Sequence, residues 1–231
     1  MSASEQGQPA GAVAAVVVGI RQMIRNGDLL PGEPVRQQEM AERLGVSRVP
    51  VREALHALET EGLLRHRPQR GYFVAKLSAE QLNQIYLMRQ LLETALLQHL
   101  SWPDEEQLAA ITAINDQLAC AAKEEQIGQM AQLNRQFHEA IFALSPLRTV
   151  HQEISRLWEL SESYRAFYLA GPSRLQTASQ HEEMIDALRR RDLERLLKGL
   201  DRHRAQAQAE VAAMLGGRTT TDLFRAAVEL A

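Results

Sequence analysis

Three histidines and an asparagine in the second half of the sequence have the spacing of a shared metal site. Asn134 and His138 are four residues apart beside an apolar stripe, so they lie on one face of a predicted helix. His181 begins the apolar series of a later helix, and His203 continues the apolar series of the last one. Imidazole nitrogens and an amide oxygen suit divalent ions, with zinc or nickel as first candidates. The pattern therefore predicts a metal ion held between three helices.

Each of these histidines also has a structural interpretation, because a core histidine is usually satisfied by a neighbouring side chain. An unmet buried polar group costs about 1–3 kcal/mol, and the coincidence on three helices brings one shared metal level with that structural interpretation. A catalytic metal would also need a positioned general base. Glu139 and Glu182 directly follow two of the histidines, but their positions lie off the ligand face. We therefore identify no catalytic residue and expect a protein that is not an enzyme.

Arg89 lies among leucine and isoleucine positions on the first helix of the same region. A core-facing arginine needs an anionic partner. Glu93, one turn later, is one candidate partner, and the carboxylate of a bound small organic acid is the other. Tyr164, Arg165 and Tyr168 are further candidates to line such an effector cavity, although tyrosines at helical spacing are more often packing residues.

The first third of the chain places two arginines at the start of a predicted helix. Gly45 can end one short helix in the left-handed conformation, Ser47 can cap the next, and Pro50 fits its first turn. Arg48 and Arg52 are four residues apart and share a face of that second helix. Arginines at the N-terminal end of a recognition helix reach guanine O6 and N7 in the major groove of DNA. The segment therefore predicts a DNA-binding helix-turn-helix.

A predicted β-hairpin follows this helix pair. Two short apolar runs flank the turn Arg67-Pro68-Gln69-Arg70-Gly71. We expect Arg67 and Arg70 either to contact DNA phosphates or to enter the minor groove with the tip of the hairpin. Gly71 would let the turn approach the DNA backbone closely. The hairpin is therefore interpreted as a wing beside the helix-turn-helix.

The elements that position these residues divide the 231-residue chain into two parts. Residues 1–76 mix short helices, turns and the hairpin, whereas residues 77–231 are mostly helix formers interrupted at proline and glycine. Those interruptions predict six helices and short loops, at about 79–100, 104–122, 126–144, 147–170, 173–190 and 192–214, with one more at 220–230. We predict a mainly α protein with a winged helix-turn-helix DNA-binding domain at 1–76. An all-helical antiparallel bundle at 77–231 would serve effector binding, metal binding and dimerisation.

The distribution of charge agrees with a DNA-binding head on an acidic body. The net charge is −3, yet residues 1–76 carry 10 basic and 8 acidic residues, and the other 16 basic and 21 acidic residues follow. The single cysteine, Cys120, excludes an internal disulfide and suits a reducing compartment. The longest apolar stretch, Ala10–Ile20, is shorter than the ~20 residues that span a bilayer. We therefore expect a cytoplasmic protein with no membrane partner.

Several motifs in this order resemble those of a known family. The segment S-R-V-P-V-R-E-A-L at 47–55 resembles the signature of GntR-family transcriptional regulators. The segments P-G-E-P at 31–34, A-E-R-L-G-V at 41–46 and E-G-L-L through R-G-Y-F-V at 61–74 follow the same pattern. N-R-Q-F-H at 134–138 resembles the D-x-x-F-H motif of the FCD domain of the FadR-type branch. The six-helix count is similar to the shorter, VanR-like subgroup.

This resemblance implies a homodimeric repressor that binds a short palindromic operator in double-stranded DNA and responds to a small organic acid. It also implies that Asn134, His138, His181 and His203 bind the metal. Aspartate is usual at position 134, and a neutral amide there removes a negative charge and should weaken metal binding. Arginine is common at the position of Gln38, so the DNA contact there is expected to differ. Two alternatives stay open at this point: a sensor for which the metal is the signal, and, less favoured, a metal-dependent enzyme.

Overall fold

The computed structural model describes the backbone of residues 9–169 and 174–215, and the side chains of residues 11–161, 164 and 176–213. Its contacts divide the chain into two compact units, Met1–Lys76 and Leu77–Ala231. The predicted mainly α fold is confirmed, with a small winged helix-turn-helix in the first unit and helices alone among the described elements of the second. The short helix predicted at 220–230 lies outside the described residues.

The first unit folds as a three-helix head with a small sheet. Its elements are α1 (Pro9–Asn26), β1 (Pro34–Val35), α2 (Gln37–Leu44), α3 (Arg48–Thr60), β2 (Leu64–Arg67) and β3 (Gly71–Val74). The antiparallel sheet has the order β1-β3-β2. The sequence analysis predicted the hairpin of β2 and β3 but not the short strand β1. Proline tolerates an edge strand, and Pro34 lies opposite Phe73 at the edge of this sheet.

The turn between α2 and α3 forms largely as the sequence predicts. Gly45 ends α2 with φ 65°, and its N–H bonds to the carbonyls of Ala41 and Glu42. Ser47 is the N-cap residue of α3, but its side chain makes no capping hydrogen bond, which corrects that part of the prediction. The exposed Ser47 hydroxyl is therefore not committed to the helix end. The inner face of α3 is buried in the core of the head through Val51, Ala54, Leu55 and Leu58.

The second unit contains six helices among the described residues, the number predicted from the sequence. They are α4 (Ala79–Leu97), α5 (Glu105–Lys123), α6 (Ile127–Phe142), α7 (Arg148–Leu169), α8 (Arg174–Arg190) and α9 (Leu193–Leu215). Capping boxes start two of them: Ser78 with Gln81 at α4, and Asp104 with Gln107 at α5. Helix α4 ends at Leu97, three residues before the predicted end at about residue 100. In the loop that follows, the N–H of Ser101 bonds to the carbonyl of Leu144.

Packing in the second unit brings helices distant in the sequence together around two apolar clusters. Helix α5 packs on α6 and α8, while α4 packs on α7 and α9. One cluster surrounds Phe137 and Trp158, and the other surrounds Leu82 and Tyr164. The helices are thus held by apolar burial against one another.

No helix in the described part of the chain has the length and apolar character needed to cross a membrane.

A buried ion network joins α4, α7 and α9. The Glu93 side chain has no exposed surface. Its Oε1 accepts hydrogen bonds from Arg89 Nε at 2.9 Å and from Trp158 Nε1 at 2.8 Å, and its Oε2 accepts one from Arg204. Arg204 also pairs with Asp201, which is half exposed. The sequence predicted the Arg89–Glu93 alternative but not the participation of Arg204 and Trp158.

The electrostatics of this network keep Glu93 ionised. Burial alone raises the pKa of the Glu93 carboxyl. The charges of Arg89 and Arg204, with hydrogen bonds from Arg89 and Trp158, outweigh burial and hold that pKa below its ordinary value of 4.5. Because the folded-state pKa is lowered, the resulting stabilisation is complete above pH 4.5 and is lost as the pH falls through the folded-state value.

Glu93→Ala is expected to destabilise the second unit strongly. The substitution leaves two buried guanidinium groups without their shared carboxylate, a change that costs about 3–5 kcal/mol. Urea unfolding followed by circular dichroism measures the loss. Glu183→Ala, which removes an exposed pair with Arg202, is the matched control and should leave the midpoint almost unchanged. Equal midpoints for the two variants would contradict a stabilising role for the network.

Candidate nucleic-acid interface and metal centre

The exposed face of α3 carries the two arginines that the sequence singled out. Arg48 and Arg52 are both exposed and one turn apart, whereas Val51 and Leu55 of the same helix are buried. Pro50, in the first turn, is half-buried. Within the described residues Arg52 forms no ion pair, so its guanidinium is available to a base edge. The helix thus presents cations outward because its apolar positions fix its inner face.

Gln38 forms a hydrogen bond with one of these two arginines, Arg48. Its Oε1 accepts a hydrogen bond from the Arg48 guanidinium, and its Nε2 donates to Glu42 Oε1 at 3.0 Å. All three side chains are exposed. Where the family often has an arginine, this chain therefore has an amide that links α2 to the start of α3. Gln38 is placed to orient Arg48 as well as to meet DNA itself.

The wing presents further cations at its tip. Arg67 and Arg70 are exposed, and the Arg67 guanidinium lies 4.8 Å from the centre of the Phe73 ring. Gly71 has φ 85°, a conformation that favours glycine, and no atom lies within 4 Å of where a Cβ would be. A groove of about 600 Å³ runs beside β3, with Arg36 and Arg70 among its lining residues. The tip is therefore open to a polyanion.

The three predicted histidines meet in the core of the second unit. His138 on α6, His181 on α8 and His203 on α9 are all buried, and one potential ligand atom from each lies within 4.8 Å of the others. Their ring centres are 5.0–5.1 Å apart. The His181 ring stacks on Phe137 with a centre-to-centre distance of 3.8 Å. Three helices thus bring three imidazoles together at one point.

Two amide side chains orient the histidine rings. Asn115 donates from Nδ2 to the Ala178 carbonyl at 3.1 Å, which turns its Oδ1 toward His181 Nδ1, also at 3.1 Å. Gln180 donates to Gln206, and its Oε1 lies 2.8 Å from His203 Nδ1. An amide oxygen only accepts, so each Nδ1 carries the proton and each Nε2 keeps its lone pair. Such bonds typically hold metal-binding histidines in one tautomer.

Asn134 is a further buried polar residue on the helix that carries His138. It is fully buried on α6, one turn before His138. Neither its Oδ1 nor its Nδ2 forms a hydrogen bond within the described residues. An amide left unbonded in a core costs free energy, whereas its oxygen is a suitable ligand for a divalent ion. The donor set of three imidazoles and one amide oxygen therefore fits a metal of the zinc or nickel type.

Arg89 lies on the other side of Trp158 from this cluster. Its guanidinium carbon is 4.1 Å from the centre of the Trp158 ring, which is itself 4.9 Å from the His138 ring. Arg89 is buried and bonded to Glu93 and, at 3.4 Å, to Ser161 Oγ. The structural interpretation of Arg89 thus holds, and Trp158 is the residue that lies near both Arg89 and His138.

Of the three other predicted effector residues, Tyr164 is the one whose side chain the structure describes. The Tyr164 hydroxyl donates to the Leu77 carbonyl at 3.2 Å and accepts from the Leu77 N–H at 2.7 Å. Tyr164 is buried in the Leu82 cluster, which assigns it a packing role. The side chains of Arg165 and Tyr168 lie outside the described residues.

Three polar residues of this region were missed by sequence reasoning. Asn115, Gln180 and Arg204 are buried and contact the histidines or Glu93. A polar residue at an inward helical position is the signal that finds them. Gln180 and Arg204 directly adjoin predicted ligands in the sequence, whereas Asn115 is on a helix that contributes no ligand.

Two family descriptions match the chain in the order of its units. Residues 13–74 match the family described as bacterial regulatory proteins, gntR family. Residues 84–206 match the FCD domain. The first match covers the head with α3 and the wing, and the second covers all three histidines. Regulators of the first family bind DNA, and FCD domains bind small-molecule effectors and often a metal.

Two bacterial transcriptional regulators are similar to this chain over most of their length. The chain is 29% identical to the uncharacterised HTH-type transcriptional regulator YdhC of Bacillus subtilis, covering 76% of this chain and 80% of YdhC. It is 28% identical to the HTH-type transcriptional repressor RspR of Escherichia coli, covering 76% and 78%.

A solved structure has the same fold. E. coli McbR/YncC matches with a TM-score of 0.76 over 88% of this chain and 98% of that one, at 22% identity. The matched family and relatives are transcriptional regulators rather than enzymes. The chain belongs to the GntR family of bacterial regulatory proteins and combines its DNA-binding domain with an FCD domain.

Proposed function

We propose that this protein is a repressor that binds a short palindromic operator as a homodimer and responds to a small organic acid bound near a metal ion. The exposed pair Arg48 and Arg52 on a helix beside a basic wing is the observation that carries the proposal. The name of RspR, a repressor, supports the direction of regulation. The protein would act in the cytoplasm, where its operator is accessible.

The head divides DNA recognition between base edges and phosphates. Arg48 and Arg52 would bind guanine edges in the major groove, with Arg48 oriented by Gln38. Ser47, at the exposed start of the same helix, would bond to a phosphate or a base. The wing residues Arg67, Arg70 and Gly71 would contact the backbone beside the groove. Such phosphate contacts supply affinity and salt dependence, while the base contacts supply sequence preference.

The metal would be held by Asn134, His138, His181 and His203. When bound, the ion supplies a positive charge that attracts a carboxylate and fixes its orientation. Asn115 and Gln180 hold two of the imidazoles in the tautomer that leaves Nε2 able to bind. Asn134 contributes no negative charge where aspartate is usual, so binding is expected to be weaker than in members with the aspartate.

The effector is proposed to be an anion because two buried arginines share one buried carboxylate in the region beside the histidines. Arg89 and Arg204 both pair with Glu93, while the second carboxylate of the network, Asp201, is half exposed and pairs with Arg204 alone. A small organic acid would add a second carboxylate for Arg89, its proposed direct contact. Arg165 and Tyr168 remain proposed lining residues, whereas Tyr164 is buried in the Leu82 cluster.

Regulation follows from thermodynamic linkage between the two domains. An effector that binds better to the geometry unsuited to the operator weakens DNA binding, and DNA weakens effector binding by the same factor. A palindromic operator needs two heads related by two-fold symmetry. Among the described residues of the second unit, Met88 and Leu91 on α4 are the exposed large apolar side chains. We propose that they lie in the dimer interface.

A metal-responsive sensor is the second candidate function. Asn115 and Gln180, which hold His181 and His203 in place, are not among the proposed effector contacts, and this favours a site able to respond to metal alone. Titrating zinc or nickel against operator affinity, with and without organic acids, separates the two functions. A full response to metal alone identifies the sensor, and a response that needs an acid identifies the metabolite regulator.

Arg52→Ala is expected to weaken binding to the native operator by about 1–3 kcal/mol, because one bidentate guanine contact is lost. Base preference should relax at one position in each half-site. Fluorescence anisotropy with operator variants measures both effects. Arg156→Ala removes an exposed charge from α7 in the other unit and is the control. Undiminished binding by Arg52→Ala would contradict the assignment of α3 as the recognition helix.

Asn115→Ala is expected to lower metal affinity about 10–100-fold, the usual effect of removing a group that orients a ligand. Calorimetric titration of chelator-treated protein with zinc or nickel measures the affinity. Asn83→Ala removes a buried amide of α4 that bonds to Gln208 at 3.0 Å, and it controls for general destabilisation.

His181→Ala should abolish metal binding and blunt the effector response while sparing DNA binding by the metal-free protein. A wild-type protein that binds neither metal would overturn the site.

Leu91→Glu is expected to convert the dimer to monomer, because a charge is costly in an apolar interface. Light scattering after size-exclusion chromatography reads the mass at each concentration. Gln129→Glu places the same charge on an exposed position of α6 and should leave the dimer intact. If Leu91→Glu remains dimeric, the interface lies on another face.

A further inference from the structure

Val49 is an apolar side chain exposed in the first turn of α3, one turn before Arg52. It is 55% exposed, and Val18 on α1 is the other exposed large apolar residue in the described part of the head. Arg48 precedes Val49, and Arg52 follows it by three positions on the same helix. The valine is therefore a surface neighbour of Arg52, one of the two arginines that the proposed function assigns to base contacts.

The structure of α3 gives Val49 no role in folding. Val51, two residues later, is fully buried in the core of the head, whereas Val49 is not part of that core. A polar residue there would leave the inner face of the helix unchanged. Valine is also stiff about χ1 because it branches at Cβ. Its two methyl groups are consequently held at fixed positions at the start of the helix.

We propose that Val49 reads the 5-methyl group of a thymine in the major groove and so fixes one further position of each operator half-site. This inference rests on the proposed DNA binding by α3. In the major groove only thymine presents a methyl group, and apolar side chains recognise it by contact. Residues at the N-terminal end of a recognition helix are those that reach base edges. An isopropyl group cannot form hydrogen bonds, so a methyl group is the partner that suits it.

The spacing along α3 limits where the thymine lies. Residues three apart on a helix have Cβ atoms about 5–6 Å apart, and successive bases rise by about 3.4 Å. The thymine contacted by Val49 therefore falls within about two base pairs of the guanine contacted by Arg52. Arg48, which is oriented by its hydrogen bond to Gln38, directly precedes Val49 in the sequence. The three side chains would read one short run of adjacent bases.

The test removes one methyl group at a time from the DNA. Duplexes are first selected from a random-sequence pool by the full chain, and each thymine of the selected site is then replaced by deoxyuridine, which lacks only the methyl group. The wild-type protein is expected to lose about fourfold in affinity per half-site at one position, the effect of one methyl-sized contact. Val49→Ala should bind the thymine duplex more weakly and lose its sensitivity to that replacement.

The controls separate this inference from the proposed function. Val18→Ala, an equivalent truncation on α1 of the same head, should retain the full sensitivity to deoxyuridine. Circular dichroism of Val49→Ala checks that the head remains folded. A selected site whose affinity is unaffected by every deoxyuridine replacement, or a sensitivity that persists in Val49→Ala, would overturn the inference and leave the proposed function standing. Failure to select any sequence would contradict both.

Discussion

Polar side chains buried in an apolar helical core are the constraint on which the second unit depends. Glu93 is stable there because α4, α7 and α9 each supply a donor to it. Removing any of these donors would leave a buried charge less well compensated. The relative positions of those helices are therefore set by ion pairing as well as by packing. The histidines on α6, α8 and α9 are collected within the same core, so the folding of the helices and the assembly of the site are one process.

The two units position their proposed binding residues in different ways. In the head, the glycine turn at Gly45 and the buried positions of α3 orient a cationic face outward. In the second unit, apolar periodicity carries polar residues inward at a few positions, and the core then has to satisfy them. DNA recognition thus depends on what the helix leaves exposed, whereas the effector and metal chemistry depends on what the helices bury.

The sequence predicted features that rest on short-range patterns. The helix-turn-helix, the wing and the six later helices follow from turn residues and periodicity, and the three histidines were collected by their positions on apolar faces. It could not predict contacts that depend on long-range packing. Strand β1 forms only because β3 offers it a partner, and Asn115 orients His181 from a helix without any ligand. Arg204 reaches Glu93 across 111 positions of the chain, a separation that no local pattern encodes.

Trp158 connects the two halves of this buried chemistry. Its indole donates to Glu93, its ring lies against Arg89, and the same ring is 4.9 Å from His138. The chain has one other tryptophan, Trp102. An indole so placed is an intrinsic optical probe: its emission responds to a change of charge at either neighbour, so occupancy of the core can be followed in the unlabelled protein.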